Sequence, residues 1–219
     1  MMTKDIIEGI DTIDNLYNYI FKKYATEDTT KIYIRYGADS MSVHNGMYGV
    51  GYYGVTIDAF LSGHDFFSAL YASDSKKAII YEIKKGKILY SDTYADYDKD
   101  INSLSTKYPD IVKYMSKSNE IRPFRKIMEA IARISSKNGI SVSDIIILLG
   151  YDGIVDYYKS GSGALSTQCL VYSSDNIRQI ESISIDTNKF VRQYTDIVID
   201  GCYGYVAKKI QQLGSNTIS

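Results

Sequence analysis

The chain has 219 residues, room for one domain or a tight pair at roughly 150 residues per domain. Its 25 Lys plus Arg nearly balance 26 Asp plus Glu, for a formal net charge of −1, which argues against a dedicated nucleic-acid binder with a basic face. A chain this long buries a core without disulfides, and its 2 Cys and 2 His cannot build a four-ligand zinc site without carboxylates, so no metal is expected.

Residues 5 to 24 carry Ile6, Ile10, Ile13, Tyr17, Ile20 and Tyr24 at spacings of three and four, which predicts an amphipathic helix. Lys31-Ile-Tyr-Ile-Arg-Tyr36 alternates and is rich in strand formers, so a strand ends at Gly37. Gly46, Gly49, Gly51 and Gly54 punctuate a Tyr-rich stretch expected to be turn or bulged strand. A short helix is expected around Phe66 to Ala72. Lys77–Ile83 and Lys87–Tyr90 read as two strands joined at Lys85-Gly86.

The middle of the chain, about 92–149, is expected to be a helical insertion. Residues 92 to 106 read as loop or loose helix. Pro109 and Pro123 each stand where a proline opens a helix. The second helix carries Phe124, Ile127, Met128, Ile131 and Ile134 on one face and stops at Gly139, and Ser141 caps a short helix that Gly150 ends. Strands return at Gly153–Val155, Gln168–Tyr172, Asn176–Ile180 and Asp196–Asp200. A terminal helix is expected over Tyr203–Leu213, with 214–219 as a tail. A helical block between strand-rich blocks, with no internal repeat, predicts a single α+β domain.

The longest apolar run, Ile145–Leu149, is far below the roughly 18 residues of a membrane span. Asp5 stands where a signal peptide would continue its apolar stretch, and two scattered cysteines fit a reducing compartment. A soluble, cytoplasmic protein with no membrane partner is expected.

Tyr occurs 22 times and Trp is absent. Tyrosine suits half-buried strands and clefts where flat rings stack, although AT-rich coding produces the same bias. Gly49-Val-Gly-Tyr-Tyr-Gly54 matches the dinucleotide-binding spacing, and Asp74 lies 20 residues beyond Gly54. That site also needs an apolar strand before it and a long helix after it, and neither is evident. Cys169 reads as a small buried hydrophobe, Cys202 has no His near it in sequence, and His44 and His64 read as surface groups in Gly-rich loops.

Four segments form an ordered series: Tyr36-Gly37, the Gly49-x-Gly-x-Tyr53 stretch, Ser68-x-x-Tyr71, and Gln168 opening Gln-Cys-Leu-Val-Tyr172. In this series, from Tyr33 to Ile180, the chain resembles the ADP-ribosyltransferase superfamily, both the poly(ADP-ribose) polymerase-like branch and phage or bacterial members. Leu149-Gly-Tyr-Asp-Gly-Ile154 is similar to a segment common in the latter. The resemblance implies a split, bent antiparallel β core with helices inserted in its middle. It also implies NAD as substrate and a protein as acceptor, in a phage-encoded or toxin-like mono-ADP-ribosyltransferase.

Carried over position by position, Tyr36-Gly37 matches the pair that grips the nicotinamide amide and adenosine ribose, while Arg35 alternatively matches the Arg of the arginine-type branch. Tyr53 matches the Tyr of the second motif, with Thr56 near its following polar position. Ser68 and Tyr71 match the Ser that bonds the carboxamide and the Tyr that stacks on the nicotinamide. Gln168 falls where the family carries its catalytic acid.

Breaking the nicotinamide–ribose bond builds positive charge on the ribose, as in glycoside hydrolysis. A carboxylate at the strand head normally stabilises that charge through the ribose 2′-hydroxyl. Gln168 accepts the same hydrogen bond without the charge, and losing one such group costs on the order of 3 kcal/mol. Three readings stay open: a slower transferase, one with Asp156 or Glu181 standing in for the acid, and a catalytically silent protein of the same fold acting as a phage structural or host-interaction factor. An NAD glycohydrolase is a further, weaker reading.

Overall fold

The computed structural model describes residues 6–7, 10, 12–25, 31–36, 43–61, 77–115, 119–159 and 165–186, with 189, 193 and 208. Its elements in chain order are β1 (Ile6–Ile7), α1 (Ile13–Tyr24), β2 (Ile32–Tyr36), β3 (His44–Gly46), β4 (Gly49–Thr56), α2 (Ile57–Leu61), β5 (Lys77–Ile83) and β6 (Ile88–Tyr90). The helices α3 (Tyr97–Lys107), α4 (Ile111–Met115), α5 (Pro123–Asn138) and α6 (Val142–Leu148) follow. Strands β7 (Gly153–Lys159), β8 (Leu165–Val171) and β9 (Ile177–Ser184) complete the described set. The expected helix near Phe66, the Asp196 strand and the terminal helix lie outside the described residues.

The strands form one open path, β1-β9-β5-β2-β4-β8-β7-β6, with β3 paired to β4. Pairing is antiparallel except for β1 with β9 and β6 with β7. The strands are therefore continuous where a split sheet was expected, and the reason is the length of β4. Its residues Tyr52, Tyr53 and Gly54 stand opposite Val171, Leu170 and Cys169 of β8, and its next residues, Val55 and Thr56, stand opposite Ile34 and Tyr33 of β2. One eight-residue strand thus belongs to both halves of the sheet.

Strand alternation then decides the layers. Ile32, Ile34, Ala78, Ile80 and Ile183 pack with Ile13, Leu16, Tyr17, Ile20 and Phe60 of α1 and α2. The intervening Tyr33, Ile79, Tyr81 and Ile83 point the other way and meet Val155, Cys169 and Val171 of the second half. That second half turns Ile154 and Leu170 toward Leu104, Ile127, Ile131 and Ile145 of the helical insertion. The sheet is bent so that its halves face each other, with helices outside each. Each fully buried aliphatic side chain contributes roughly 1.5–3 kcal/mol, whereas an exposed pair such as Lys87–Asp96 is screened by solvent and contributes little. Apolar burial across three layers holds the fold.

Local chemistry sets the helix ends. The Thr12 hydroxyl accepts from the Asn15 N–H at 3.1 Å, so α1 starts at Ile13 and not near residue 5. Ile6 and Ile7 instead pair with Ser182 and Ile183; the spacing of Ile6 and Ile10 imitates a helix across Gly9. Pro123 opens α5, and Gly139, at φ 67°, ends it as the sequence indicated. Ser141 caps α6 through the Asp144 N–H at 3.1 Å. Residues 97–107 form a true helix, and the helix expected at Pro109 is the five-residue α4. The strands at 77–83 and 88–90 exist but do not pair with each other: β5 joins β2 and β9, while β6 joins β7. No described helix is long and apolar enough to cross a membrane.

Candidate functional site at the β2–β4–β8 junction

The junction is built by close approach to glycine. A Cβ on Gly54 would come within 2.3 Å of Tyr33 Cδ2 and 3.0 Å of the Ile34 carbonyl oxygen. Gly49 has φ +94° and lies so close to α6 that a Cβ would sit 2.7 Å from the Ser143 N. The G-x-G-x-x-G spacing is therefore a packing feature of a strand, and the helix after it, α2, has only five residues.

Where β4 changes partners, both neighbouring strands part from it. Beyond Ile34↔Val55, Arg35 and Tyr36 pair with β5 alone. Beyond Gly54↔Cys169, Gln168 pairs with β7 alone, opposite Asp156. Arg35 and Gln168 thus each stand one residue past the last β4 pair, flanking the Gly54–Val55 step from its two edges.

Of the residues singled out in the sequence, Arg35 is 6% exposed and lies within electrostatic reach of Tyr33, Tyr52 and Tyr81, on the face buried between the half-sheets. Burial lowers its pKa, and the three phenols oppose that shift. Tyr36 packs on the opposite face, against the α1 cluster. Tyr53 packs against the helical insertion, and its hydroxyl donates to the Gly49 carbonyl at 2.8 Å and accepts from the Tyr48 N–H at 3.2 Å. Thr56 is fully buried opposite Tyr33. The structure thus brings Arg35 and Thr56 to the inter-sheet side of the junction, while by strand alternation Gln168 stands on the other side, the one that the Tyr53 ring also takes. Gly37, Ser68, Tyr71, His64 and Cys202 lie outside the described residues.

Buried carboxylates explain much of the tyrosine content. Asp156, 1% exposed, accepts from the Tyr48 hydroxyl and from Arg125 Nη2 at 3.0 Å. Asp100, equally buried, accepts from Tyr94 and Tyr151, each at 2.8 Å. Glu181 accepts from Tyr24 at 2.6 Å, from Tyr19 at 2.5 Å and from Lys23. Asp58, half-buried on α2, accepts from Tyr157 at 3.1 Å. Burial, followed by the adjacent carboxylate, pushes the Tyr48, Tyr94, Tyr151 and Tyr157 hydroxyls well above the usual phenol range.

These contacts correct the two acids considered as substitutes for a catalytic carboxylate. Asp156 is held by Tyr48 and Arg125 on the helical face, and Glu181 is held by three donors beside α1. Asp58 went unnoticed because it belongs to no spacing motif. Its sequence signal is its place just past a stretch that the glycines mark as turn or bulged strand.

No family model, curated protein or solved structure matches the chain.

A cleft of about 480 Å³ lies away from the junction, between the end of α3, α4 and α5. Lys107, Tyr108, Asp110, Tyr114, Arg133 and Lys137 line it, and none of the sequence-derived site residues does. Lys137 is paired with Asp110 and Arg133 with Glu129, so two of its three cations are already neutralised. Among the described residues no cluster of His, Cys, Asp and Glu is arranged to hold a metal.

Proposed function

We propose that this domain transfers ADP-ribose from NAD to a protein acceptor. The observation that carries the reading is the junction itself. Arg35 and Gln168, which the sequence resemblance assigns to NAD, are 133 positions apart in the chain, and their backbones flank one step of β4. A pyridine dinucleotide needs a cation for its phosphates, and this junction offers the Arg35 guanidinium, while Gln168 stands inside β8 (Leu165–Val171) and does not open the strand as the sequence suggests. Of the two candidates for the first motif, Arg35 stands on the inter-sheet face with Cys169, whereas Tyr36 faces α1, and by strand alternation Gln168 stands with Asp156 and Leu170 on the face away from Arg35.

In the reaction, the C–N bond between nicotinamide and ribose C1′ breaks and its electron pair leaves with nicotinamide. The acceptor then bonds to C1′ and releases a proton. Ser68 and Tyr71 are assigned to holding the nicotinamide.

A second reading is a silent protein of the same fold, and two observations favour it. Gln168 carries no charge, and the Tyr53 hydroxyl is committed to closing the β3–β4 turn. Incubation with labelled NAD and a cell lysate separates the two. Label transfer that disappears in Tyr71→Ala supports the transferase, nicotinamide release without labelling indicates a glycohydrolase, and neither transfer nor release indicates the silent protein.

A further inference from the structure

The helical insertion gathers positive charge that the junction does not use. Residues 107 to 138 carry eight Lys plus Arg against three Asp plus Glu, in a chain whose total is −1. Charge collected on one part of a nearly neutral chain attracts anions to that part. Three of those cations, Lys107, Arg133 and Lys137, line the cleft between α3, α4 and α5, whose volume of about 480 Å³ suits a small molecule.

Each of the three helices supplies part of the lining. Lys107 is the last residue of α3, and its ammonium has no ion-pair partner among the described residues. Arg133 and Lys137 stand four residues apart on α5, hence on one face of it. Their charged ends lie 5.7 Å and 5.8 Å from the centroid of the Tyr114 ring on α4, a ring that is 40% exposed. Buried Ile111 and Ile134 give the cleft an apolar wall.

Arg133 already pairs with Glu129 and Lys137 with Asp110, but both pairs are open to solvent and therefore weak. A phosphate carries more charge and more acceptor oxygens than one carboxylate, so it displaces such contacts. Asp110 is the one carboxylate in the lining. It repels a bare anion and selects a ligand that also brings hydrogen-bond donors. A nucleotide combines all three features: phosphate for the cations, hydroxyls that donate to Asp110, and a flat base for an exposed phenol ring.

We propose that this cleft binds a nucleoside phosphate, with its phosphate on Lys107, Arg133 and Lys137, its base against Tyr114 and a ribose hydroxyl donating to Asp110. The site stands apart from the Arg35 junction, and its occupancy is independent of NAD cleavage.

Calorimetric titration of the full chain with AMP, adenosine and inorganic phosphate tests this. AMP binds one to one, at least about tenfold tighter than either fragment. Lys107→Ala, Arg133→Ala and Tyr114→Ala each weaken AMP by about tenfold or more with the melting temperature unchanged, and added salt weakens it further. Lys107→Arg keeps the affinity. AMP binding that is lost in Arg35→Ala but intact in all three cleft variants puts the nucleotide at the junction and overturns the proposal. So does the absence of AMP binding at millimolar concentration, or inorganic phosphate binding as tightly as AMP. A poly-glutamate peptide that binds where AMP does not makes the cleft a polypeptide surface, and overturns it as well.

Discussion

Gly54 lies against the ring of Tyr33 so closely that a single added carbon would stand 2.3 Å from Tyr33 Cδ2. This contact sits where β4 passes from one half-sheet to the other, so it fixes the bend on which the candidate site depends.

Gly54→Ala is therefore expected to lower stability by about 1–3 kcal/mol, the usual cost of overpacking. Tyr33→Phe should behave differently. The Tyr33 hydroxyl is buried and has no hydrogen-bond partner among the described residues, so removing it is expected to be neutral or stabilising by up to about 1 kcal/mol. Urea melts of the two variants check both signs. A Gly54→Ala variant as stable as wild type would show that the two strands do not approach this closely.

Asp156 is a stability residue in this structure. Replacing it with Ala leaves Tyr48 and Arg125 facing a void and is expected to cost about 3–5 kcal/mol, as for other broken buried pairs. A double-mutant cycle between Asp156→Ala and Arg125→Met isolates the pair. Coupling indistinguishable from zero would mean that the two side chains do not meet.

Glu181 makes stability depend on pH. Burial raises its pKa, but donors from Lys23, Tyr19 and Tyr24 outweigh burial and hold the carboxyl below its ordinary value. A group depressed in the folded state contributes stability above its unfolded pKa, about 4.3, and loses that contribution as pH falls through the lower folded value. Stability should thus be level with respect to this group above about pH 5 and decline below it. Glu181→Gln should be less stable at neutral pH and lose part of that acid slope. An unchanged slope in the variant would assign the acid sensitivity elsewhere.

Cys169 has no exposed surface, and burial pushes its thiol up to about 12. Near pH 7 that leaves roughly one thiolate in 10⁵, so alkylating reagents should not modify it in the native state. In a Cys202→Ser background, labelling of Cys169 should appear only as the chain unfolds in urea. Rapid native labelling would place the thiol at the surface.

Elements set by local chemistry were legible in the sequence. Alternation in Ile32–Tyr36 and the Pro123, Gly139 and Ser141 boundaries of α5 and α6 appear in the structure because each depends on neighbours within a few residues. The pairing of β6 was not legible. Lys85-Gly86 looks like a hairpin turn, yet Leu89 pairs with Ile154, and no local signal reports a partner 65 residues away. The Gly46–Gly54 stretch, expected as turn or bulged strand, holds both a turn and a strand: Gly46 and Gly49 flank the β3–β4 turn, while Gly51 and Gly54 lie inside β4 against Leu170 and Tyr33. The junction was legible only as a set of segments. That Arg35 and Tyr36 take opposite faces follows from strand alternation, but which face meets β8 depends on the bend in β4.

Nicotinamide release from NAD, compared between the wild-type chain and Arg35→Ala, tests the NAD-site assignment most directly. Release by the wild type that falls at least about 100-fold in the variant, with the melting temperature little changed, is the expected result for a cation facing the dinucleotide. Equal release by both proteins, or a wild type that neither binds NAD nor frees nicotinamide, would contradict it.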